Sequence, residues 1–175
     1  MQAVEPDYVK FFIGALYSDE SRLEQAKKFC VQRMGPIELE SKAFAFTATH
    51  YYDAEMGPPI YRQFFSFEGL RDPGDLPELK VVCNQIEAQL SLVGKRKVNL
   101  DIGYLDLHKM ILASAKYNGQ KVYLDQGIYA DVTLIYEAGG FHPTQNTFPD
   151  FKSGEYLPVF REFREHLKAD LRQRS

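Results

Sequence analysis

The most regular pattern of apolar and polar residues in the chain runs from residue 97 to residue 104. Apolar and polar side chains alternate there without a break, as they do in a strand with one buried face. The apolar set is Val98, Leu100, Ile102 and Tyr104, and the other set contains Lys97, Asn99 and Asp101. The pattern therefore predicts a strand over residues 97–105 that presents a cation, an amide and a carboxylate on one sheet face.

The N-terminal third of the chain predicts a strand followed by a helix. Residues 9–17 are almost continuously apolar, which is typical of a central strand covered on both faces. Ser18 is the predicted N-cap of the helix, with acidic residues following it, and Gly35 and Pro36 are its stop signal. The predicted buried face of this helix consists of Leu23, Ala26, Cys30 and Met34.

The middle of the chain predicts two strands, a helix and the alternating strand described above. Residues 37–46 and 60–67 are the strands, and residues 47–59 between them are predicted to form a loop. Asp75 is the predicted cap of the helix, whose apolar face is Leu79, Val82, Cys83, Ile86 and Leu90. The resulting β-α-β-β-α-β order is that of a ferredoxin-like core.

The C-terminal part extends this core. The apolar run over residues 107–116 fits a helix or a strand, and we predict a helix. Residues 121–137 predict a β-hairpin around Gly127, with Ile128, Ala130, Val132, Leu134 and Tyr136 on one face. Residues 138–154 are predicted to be irregular. A final helix beginning near Glu155 has an apolar stripe of Tyr156, Phe160, Phe163, Leu167 and Leu171. The prediction is one α+β domain over residues 1–175: a ferredoxin-like core extended by a C-terminal hairpin and helix.

Composition and charge narrow the classes of partner. The chain has 175 residues, 45% of them hydrophobic and 26% charged, as in ordinary globular proteins. Its net charge of −3 creates no field that attracts nucleic acid or an anionic membrane. No membrane-spanning segment or leader is recognisable, so we expect a cytoplasmic location without membrane association. Cys30 and Cys83 fall on apolar helix faces, which predicts buried free thiols.

The predicted loop is the first candidate site. Residues 47–57 bring together two threonines, a histidine, two tyrosines and two carboxylates. Asp53 and Glu55 are suited to bind a hard cation or to act as acid and base. The alternative is a solvated loop anchored by Tyr51 and Tyr52. The four histidines of the chain are scattered without metal-ligand spacing, so we predict no zinc site and assign no residue as a metal ligand.

The polar face of the alternating strand is the second candidate site. It consists of Lys95, Arg96, Lys97, Asn99 and Asp101, and its cations are suited to hold a phosphate or a carboxylate. Asp131 and Thr133 would line the same face if their strand is a neighbour. The alternative is an ordinary solvent-facing sheet surface. A third, weaker candidate comprises Asp106, His108, Ser114 and Lys116, with His108 as a general base.

Several segments together resemble a bacterial and archaeal family, the domain of unknown function family 4416. The resemblance covers nearly the whole chain and rests on residues 12–18, 34–37, 49–57, 94–101, 127–134 and 147–150. The resemblance implies no established activity, although some members of the family are labelled GTP-binding proteins. This chain contains neither a P-loop nor an Asn-Lys-x-Asp motif. Asp131 stands where the family pattern has Glu.

These observations lead to one principal hypothesis and two alternatives. The principal one is a domain that binds a small anionic ligand, such as a nucleotide or another phosphate compound. The ligand-binding candidates are Tyr51, Tyr52, Lys95, Arg96, Asn99 and Thr133, with Arg96 holding the anion. If the domain is an enzyme, the candidate acid/base or metal-holding groups are Asp53, Glu55, Asp101 and Asp131. No cofactor is identified.

The first alternative is a protein–protein or homo-oligomeric assembly module, suggested by the aromatic content of 14%. In it, Phe141, Phe148 and Phe151 would form the contact patch. The second alternative is a single-stranded RNA binder that stacks bases on an open sheet face. The net charge argues against this alternative.

Overall fold

The first strand of the chain, β1 (Lys10–Tyr17), lies in the middle of the sheet and is buried along its whole length. The structure is a computed structural model that describes residues 1–174. In it, β1 pairs antiparallel with a strand on each side. The prediction of a central strand covered on both faces is therefore confirmed, and β1 provides the frame on which the other elements are placed.

The sheet contains eight further strands, all paired antiparallel. They are β2 (Ile37–Glu40), β3 (Phe44–Ala45), β4 (Tyr61–Phe67), β5 (Val98–Leu105), β6 (Lys109–Ser114), β7 (Val122–Asp125), β8 (Ile128–Glu137) and β9 (Gly140–Pro143). Their order is β2-β4-β1-β5-β6-β8-β7, while β3 pairs with β4 and β9 pairs with β8.

The described residues also form five α-helices, so the predicted α+β class is confirmed. They are α1 (Glu20–Met34), α2 (Asp53–Met56), α3 (Leu76–Gln89), α4 (Pro149–Lys152) and α5 (Leu157–Arg174), and a 3₁₀ turn (Pro73–Asp75) precedes α3. None of these helices combines the length and the apolar character that crossing a membrane requires.

The caps of the first two long helices differ in detail from the prediction. Asp19, not Ser18, caps α1, because its side chain accepts a hydrogen bond from the Arg22 N–H. The Ser18 hydroxyl instead donates to the Met56 carbonyl and ties β1 to α2. Gly35 ends α1 with a φ of 92°, as predicted. Asp75 is the N-cap of α3, but its side chain makes no capping hydrogen bond.

Helices α1 and α3 cover one face of the sheet. The apolar residues that the periodicity predicts for their inner faces are buried: Leu23, Ala26, Cys30 and Met34 in α1, and Leu79, Val82, Cys83 and Ile86 in α3. They pack against strand residues such as Ile13, Phe65 and Leu100. Cys30 and Cys83 are free, buried thiols, which confirms the prediction.

Helix α5 covers part of the opposite face. Its buried stripe, Phe160, Phe163 and Leu167, packs against Phe12 and Phe64, which confirms the predicted stripe. Near the C-terminal end of β1, a separate small cluster covers the sheet, consisting of Leu16, Met56 and Ile60 with Phe46 and Tyr52 against it. The candidate site described below lies between the α5 core and this small cluster.

Residues 107–116 contain a strand and not the predicted helix. The run alternates between the two faces, because Met110 and Leu112 pack into the α5 core while Ile111 and Ala113 pack into the α1/α3 core. A short apolar run of this kind fits a helix and a doubly buried strand equally well. Pairing of β6 with β5 on one side and β8 on the other decides for the strand.

A bulge in β8 changes which residues share a face. Met110 pairs with Leu134 but Ile111 pairs with Val132, so Thr133 is an extra residue in β8. The predicted hairpin over residues 121–137 is confirmed as β7 and β8. The prediction of one apolar face for the second strand of this hairpin is wrong beyond Val132, because Ile128 packs in the α1/α3 core and Leu134 packs in the α5 core.

Three other segments are more finely divided than predicted. The strand over residues 37–46 is split into β2 and β3, because the Ser41 hydroxyl takes the place of a main-chain acceptor for the Phe64 N–H. The loop over residues 47–59 contains α2. The irregular residues 138–154 contain β9 and α4.

Candidate functional site

A cleft of about 520 Å³ opens where β5 and β6 diverge. β5 pairs with β6 only from Gly103 to Leu105. Earlier in β5, two side chains of α3 take over the main-chain hydrogen bonds of Leu100: Lys80 Nζ donates to its carbonyl at 2.9 Å, and Glu87 Oε1 accepts from its N–H at 2.6 Å. The divergence thus lets polar groups reach the middle of the sheet without leaving the strand edge unpaired.

Aromatic rings and charged groups share the walls of this cleft. The rings are Phe46, Tyr51, Tyr52, Phe148 and Phe151. The charged residues are Arg62, Lys80, Arg96, Lys116, Lys121, Glu87, Asp101, Asp131 and Asp150, and Asn99 adds an amide. Five cations therefore face four carboxylates, so the attraction for an anion depends on which cations are free of a carboxylate partner.

Arg62 is buried at the base of the cleft between two carboxylates. Its Nη1 lies 2.8 Å from Asp101 Oδ2, and its Nη2 lies 3.1 Å from Asp150 Oδ2. Nη1 also donates to the Gly14 carbonyl at 3.0 Å. The guanidinium packs near the rings of Phe46, Phe64 and Phe151. Burial would raise the pKa of Asp101, but Arg62 and Lys80 outweigh it and hold that pKa below its usual value.

Arg96 joins three elements at the side of the cleft. Its Nε and Nη2 donate to the two carboxylate oxygens of Glu55 at 2.7 and 2.8 Å. Its Nη1 donates to Glu87 at 3.1 Å and to Asn99 at 2.8 Å. Because four of the five guanidinium N–H groups are engaged, Arg96 braces α2 and α3 against β5.

Lys116 and Lys80 are the two cleft cations without a carboxylate partner within 4 Å among the described residues. Lys80 is buried and donates to the Leu100 carbonyl, so of the two only Lys116 is exposed. Its Nζ donates to the Tyr51 hydroxyl at 2.8 Å, which lowers the pKa of Tyr51. Both side chains are exposed at the rim of the cleft. Deeper in the cleft, burial raises the pKa of Tyr52 to about 12, so its phenol stays protonated at neutral pH.

Asp131 and Lys121 form a buried pair on another wall. Lys121 Nζ lies 3.7 Å from Asp131 Oδ2 and donates to the Ser114 hydroxyl at 2.8 Å. Oδ2 of Asp131 is buried and accepts no hydrogen bond within the part of the chain that the structure describes. Burial raises the pKa of Asp131, and Lys121 offsets this only in part.

The structure brings together six of the residues that the sequence singled out. Tyr51, Tyr52, Arg96, Asn99, Asp101 and Asp131 all line the cleft, so the loop and the strand face are neighbours. Four others do not line it. Lys95 lies in the exposed turn that precedes Arg96, and Thr133 is buried in the bulge of β8. Asp53 pairs with His50 on the surface, and Glu55 lies behind Arg96.

The third predicted candidate is divided between two places. Ser114 and Lys116 line the main cleft. Asp106 and His108 line a separate depression of about 280 Å³ near the N-terminal segment. There, Asp106 accepts hydrogen bonds from the His108 and Lys109 main-chain N–H groups and pairs with the Lys109 side chain. Asp106 is thus occupied in shaping the turn between β5 and β6.

Sequence reasoning missed four buried polar residues of the cleft: Arg62, Lys80, Glu87 and Asp150. The position of Arg62 could have been predicted, because residues 62, 64 and 66 are two apart in a predicted strand and therefore lie on the same face as each other. Lys80 and Glu87 are seven residues apart on α3, two turns on one side of the helix. No local pattern indicates Asp150, which reaches Arg62 only through the tertiary fold.

The fold and the cleft together define an α+β protein with a mixed aromatic and charged cleft built into a split antiparallel sheet. The chain belongs to the family described as Domain of unknown function (DUF4416), whose model matches residues 7–167. The family resemblance stated from the sequence is thereby confirmed. Neither the curated proteins nor the solved structures give a significant match to the chain.

Proposed function

We propose that the cleft binds a small phosphate-bearing ligand with a planar ring, the class to which nucleotides belong. The observation that carries this proposal is the position of Lys116, a cation without a carboxylate partner within 4 Å among the described residues, at the rim of a cleft walled by aromatic rings. A cleft of about 520 Å³ falls within the range of about 300 to 1,000 Å³ common for small-molecule sites.

The charge balance of the cleft favours a compact anion. Arg62 and Arg96 are engaged with carboxylates, and Lys121 lies beside Asp131. Lys80 is buried and its ammonium donates to a main-chain carbonyl of β5. Lys116 and the Tyr51 hydroxyl remain to receive a single phosphate at the rim. A monophosphate therefore fits better than a triphosphate, whose extra charges would find no free cation and would face the cleft carboxylates.

The anion is therefore assigned to Lys116 rather than to Arg96, to which the sequence alone assigns it. The guanidinium of Arg96 is already bound by Glu55, Glu87 and Asn99. Withdrawing it toward a ligand would break the ion pair of the buried Glu87, whose other oxygen is bound to the Leu100 N–H, and this is costly. Arg96 then acts by holding the α2 segment, and with it Tyr51 and Tyr52, beside β5.

We also infer that the core of the sheet is ferredoxin-like. The antiparallel order β5-β1-β4-β2, with α1 and α3 on the same face, supports this inference. The cleft lies on the edge of that core, where the strands added from the C-terminal part join it. On this interpretation, the extension of the sheet supplies Lys116, Lys121 and Asp131, and the core supplies Arg62 and Asp101.

Isothermal titration calorimetry with GMP and with inorganic phosphate tests the proposal. We expect GMP to bind with a Kd below about 1 mM, and more tightly than phosphate. Lys116→Gln should weaken GMP binding about fivefold, since it removes a cation from the phosphate. Lys28→Gln, which removes an exposed cation of α1 far from the cleft, is the matched control and should have no effect. Absence of GMP binding, or equal effects of the two substitutions, would contradict the proposal.

An assembly function remains a second candidate because of β7. This strand ends the sheet, and all four of its residues are exposed, including Val122 and Tyr123. Exposed edge strands are templates for pairing with another chain. The patch differs from the one expected from the sequence, because Phe141 and Phe151 are buried in the α5 core and only Phe148 is exposed.

Size-exclusion chromatography with light scattering distinguishes the assembly function. A dimer that Val122→Lys converts to a monomer would support pairing through β7. A monomer at all concentrations would contradict it. The RNA alternative is disfavoured, since helices cover both faces of the central strands and leave no open platform for bases.

A further inference from the structure

Asp131 is a buried carboxylate whose hydrogen-bonding capacity is unused. It is 4% exposed and lines the cleft, and its Oδ2 accepts no hydrogen bond from the described residues. Lys121 Nζ, at 3.7 Å, compensates its charge but lies beyond hydrogen-bond distance. Buried polar atoms in native proteins nearly always have a partner, so an acceptor of this kind in a cleft points to a ligand.

The local backbone places Asp131 in this position. Asp131 pairs with Leu112, and the bulge at Thr133 follows two residues later. Without the extra residue, strict alternation would put Asp131 and Leu134 on opposite faces of β8. The bulge allows Asp131 to line the cleft while Leu134 packs into the α5 core on the same side. Bulges that redirect a side chain beside a functional site are a recognised device.

Lys121 adds a donor next to this acceptor. Its side chain is 8% exposed, and its ammonium group has three N–H donors. The Ser114 hydroxyl accepts one at 2.8 Å and the Lys116 carbonyl accepts another at 3.4 Å, which leaves one donor for a ligand. The pair therefore presents an acceptor and a donor side by side to the cleft. An N–H next to a carbonyl oxygen or ring nitrogen, as on the edge of a nucleobase, has the complementary arrangement.

We infer that Asp131 and Lys121 bind the polar edge of a nucleobase-like ring, with the Asp131 carboxylate accepting its N–H and Lys121 donating to the adjacent acceptor. This inference rests on the proposed function and specifies its ligand: a nucleoside monophosphate whose base carries adjacent donor and acceptor groups. In this arrangement Lys116 receives the phosphate, so the carboxylate of Asp131 is kept apart from it.

The test compares two nucleotides that differ at this edge. GMP carries N–H donors beside a carbonyl oxygen, whereas purine riboside 5′-monophosphate has the same sugar and phosphate but no donor on the base. Calorimetry should show GMP binding at least tenfold more tightly to the native protein. Asp131→Asn should remove most of that advantage and leave the affinity for purine riboside 5′-monophosphate within about twofold.

The outcomes separate this inference from the proposed function. If both nucleotides bind equally, or if Asp131→Asn keeps the preference for GMP, the inference is overturned while the proposed function stands. If neither nucleotide binds, both are overturned. Circular dichroism shows whether each variant folds, and Lys121→Gln, which should also reduce the preference for GMP, replaces Asp131→Asn in the comparison if that variant is unfolded.

Discussion

Arg62 and Asp101 form an ion pair that crosses the central strand of the sheet. Arg62 belongs to β4 and Asp101 to β5, with β1 between them, and Nη1 of Arg62 lies 2.8 Å from Oδ2 of Asp101. The pair passes over Gly14, where a Cβ atom would lie 3.3 Å from Nη1 and 2.8 Å from the Phe64 ring. Glycine at this position therefore leaves room for the guanidinium above β1 at the base of the cleft.

Removing the cation of this pair should strongly destabilise the fold. Arg62→Met leaves the buried carboxylate of Asp150 and the partly buried carboxylate of Asp101 without their cation. We expect the free energy of unfolding to fall by about 3 to 5 kcal/mol. Urea denaturation measures the change, and Arg161→Met, at an exposed position of α5, is the control. A loss below about 1 kcal/mol for Arg62→Met would show that the pair contributes little.

Gly103 should be intolerant of any side chain. A Cβ atom there would collide with the Ile111 carbonyl oxygen, which belongs to the backbone of β6 and has little freedom to move. Gly103→Ala should cost at least about 2 kcal/mol, because β6 must shift just where the cleft opens. Gly119→Ala is the matched control, since a Cβ at Gly119 would meet nothing within 4 Å. Equal thermal stability of the two variants would contradict this explanation.

Asp101 should make the protein sensitive to acid. Although burial opposes it, Arg62 and Lys80 lower the pKa of Asp101 in the folded protein. Its stabilising contribution is therefore fully present above the unfolded pKa of about 3.9 and is lost as the pH falls through the lower folded pKa. Urea denaturation at pH 6 and at pH 3 should show a smaller loss of stability for Asp101→Asn than for the native protein.

Asp131, unlike Asp101, should lower the stability of the folded protein at neutral pH. Burial raises its pKa, so the ionised carboxylate destabilises the folded protein above its unfolded pKa. Asp131→Asn should consequently be as stable as the native protein at pH 7, or more stable. Below about pH 3, where the aspartate is protonated in both states, the difference should vanish. A marked loss of stability at pH 7 would mean that Asp131 has a structural role that outweighs its burial.

Much of the fold could be predicted from the sequence because its long elements have strong periodicity. The buried stripes of α1, α3 and α5 follow from spacing alone, and so does the burial of β1 on both faces. Residues 107–116 could not be assigned in this way, because a doubly buried strand has no polar face to reveal its period. The bulge at Thr133 was hidden as well, since it arises from pairing with β6.

The candidate site could be predicted in part. Polar residues in the loop and on β5 were recognisable as a group, and the fold places Tyr51, Tyr52, Asn99 and Asp101 around one cleft. The partners that decide their chemistry come from distant parts of the chain. Nothing in the sequence indicates that Arg96 has carboxylate partners, because Glu55 and Glu87 reach it only when α2 and α3 pack beside β5. The assignment of the anion to Lys116 thus required the tertiary structure.

The central claim, that this cleft binds a nucleotide, is tested most directly by a two-dimensional NMR titration of the ¹⁵N-labelled protein with GMP. Our account predicts saturable shifts of backbone amides along the cleft walls, at Tyr51, Asn99, Lys116, Asp131 and Phe148. The amides of α1, on the far side of the sheet, should stay in place and serve as the internal control. No shifts at millimolar GMP, or shifts gathered away from the cleft, would contradict the account.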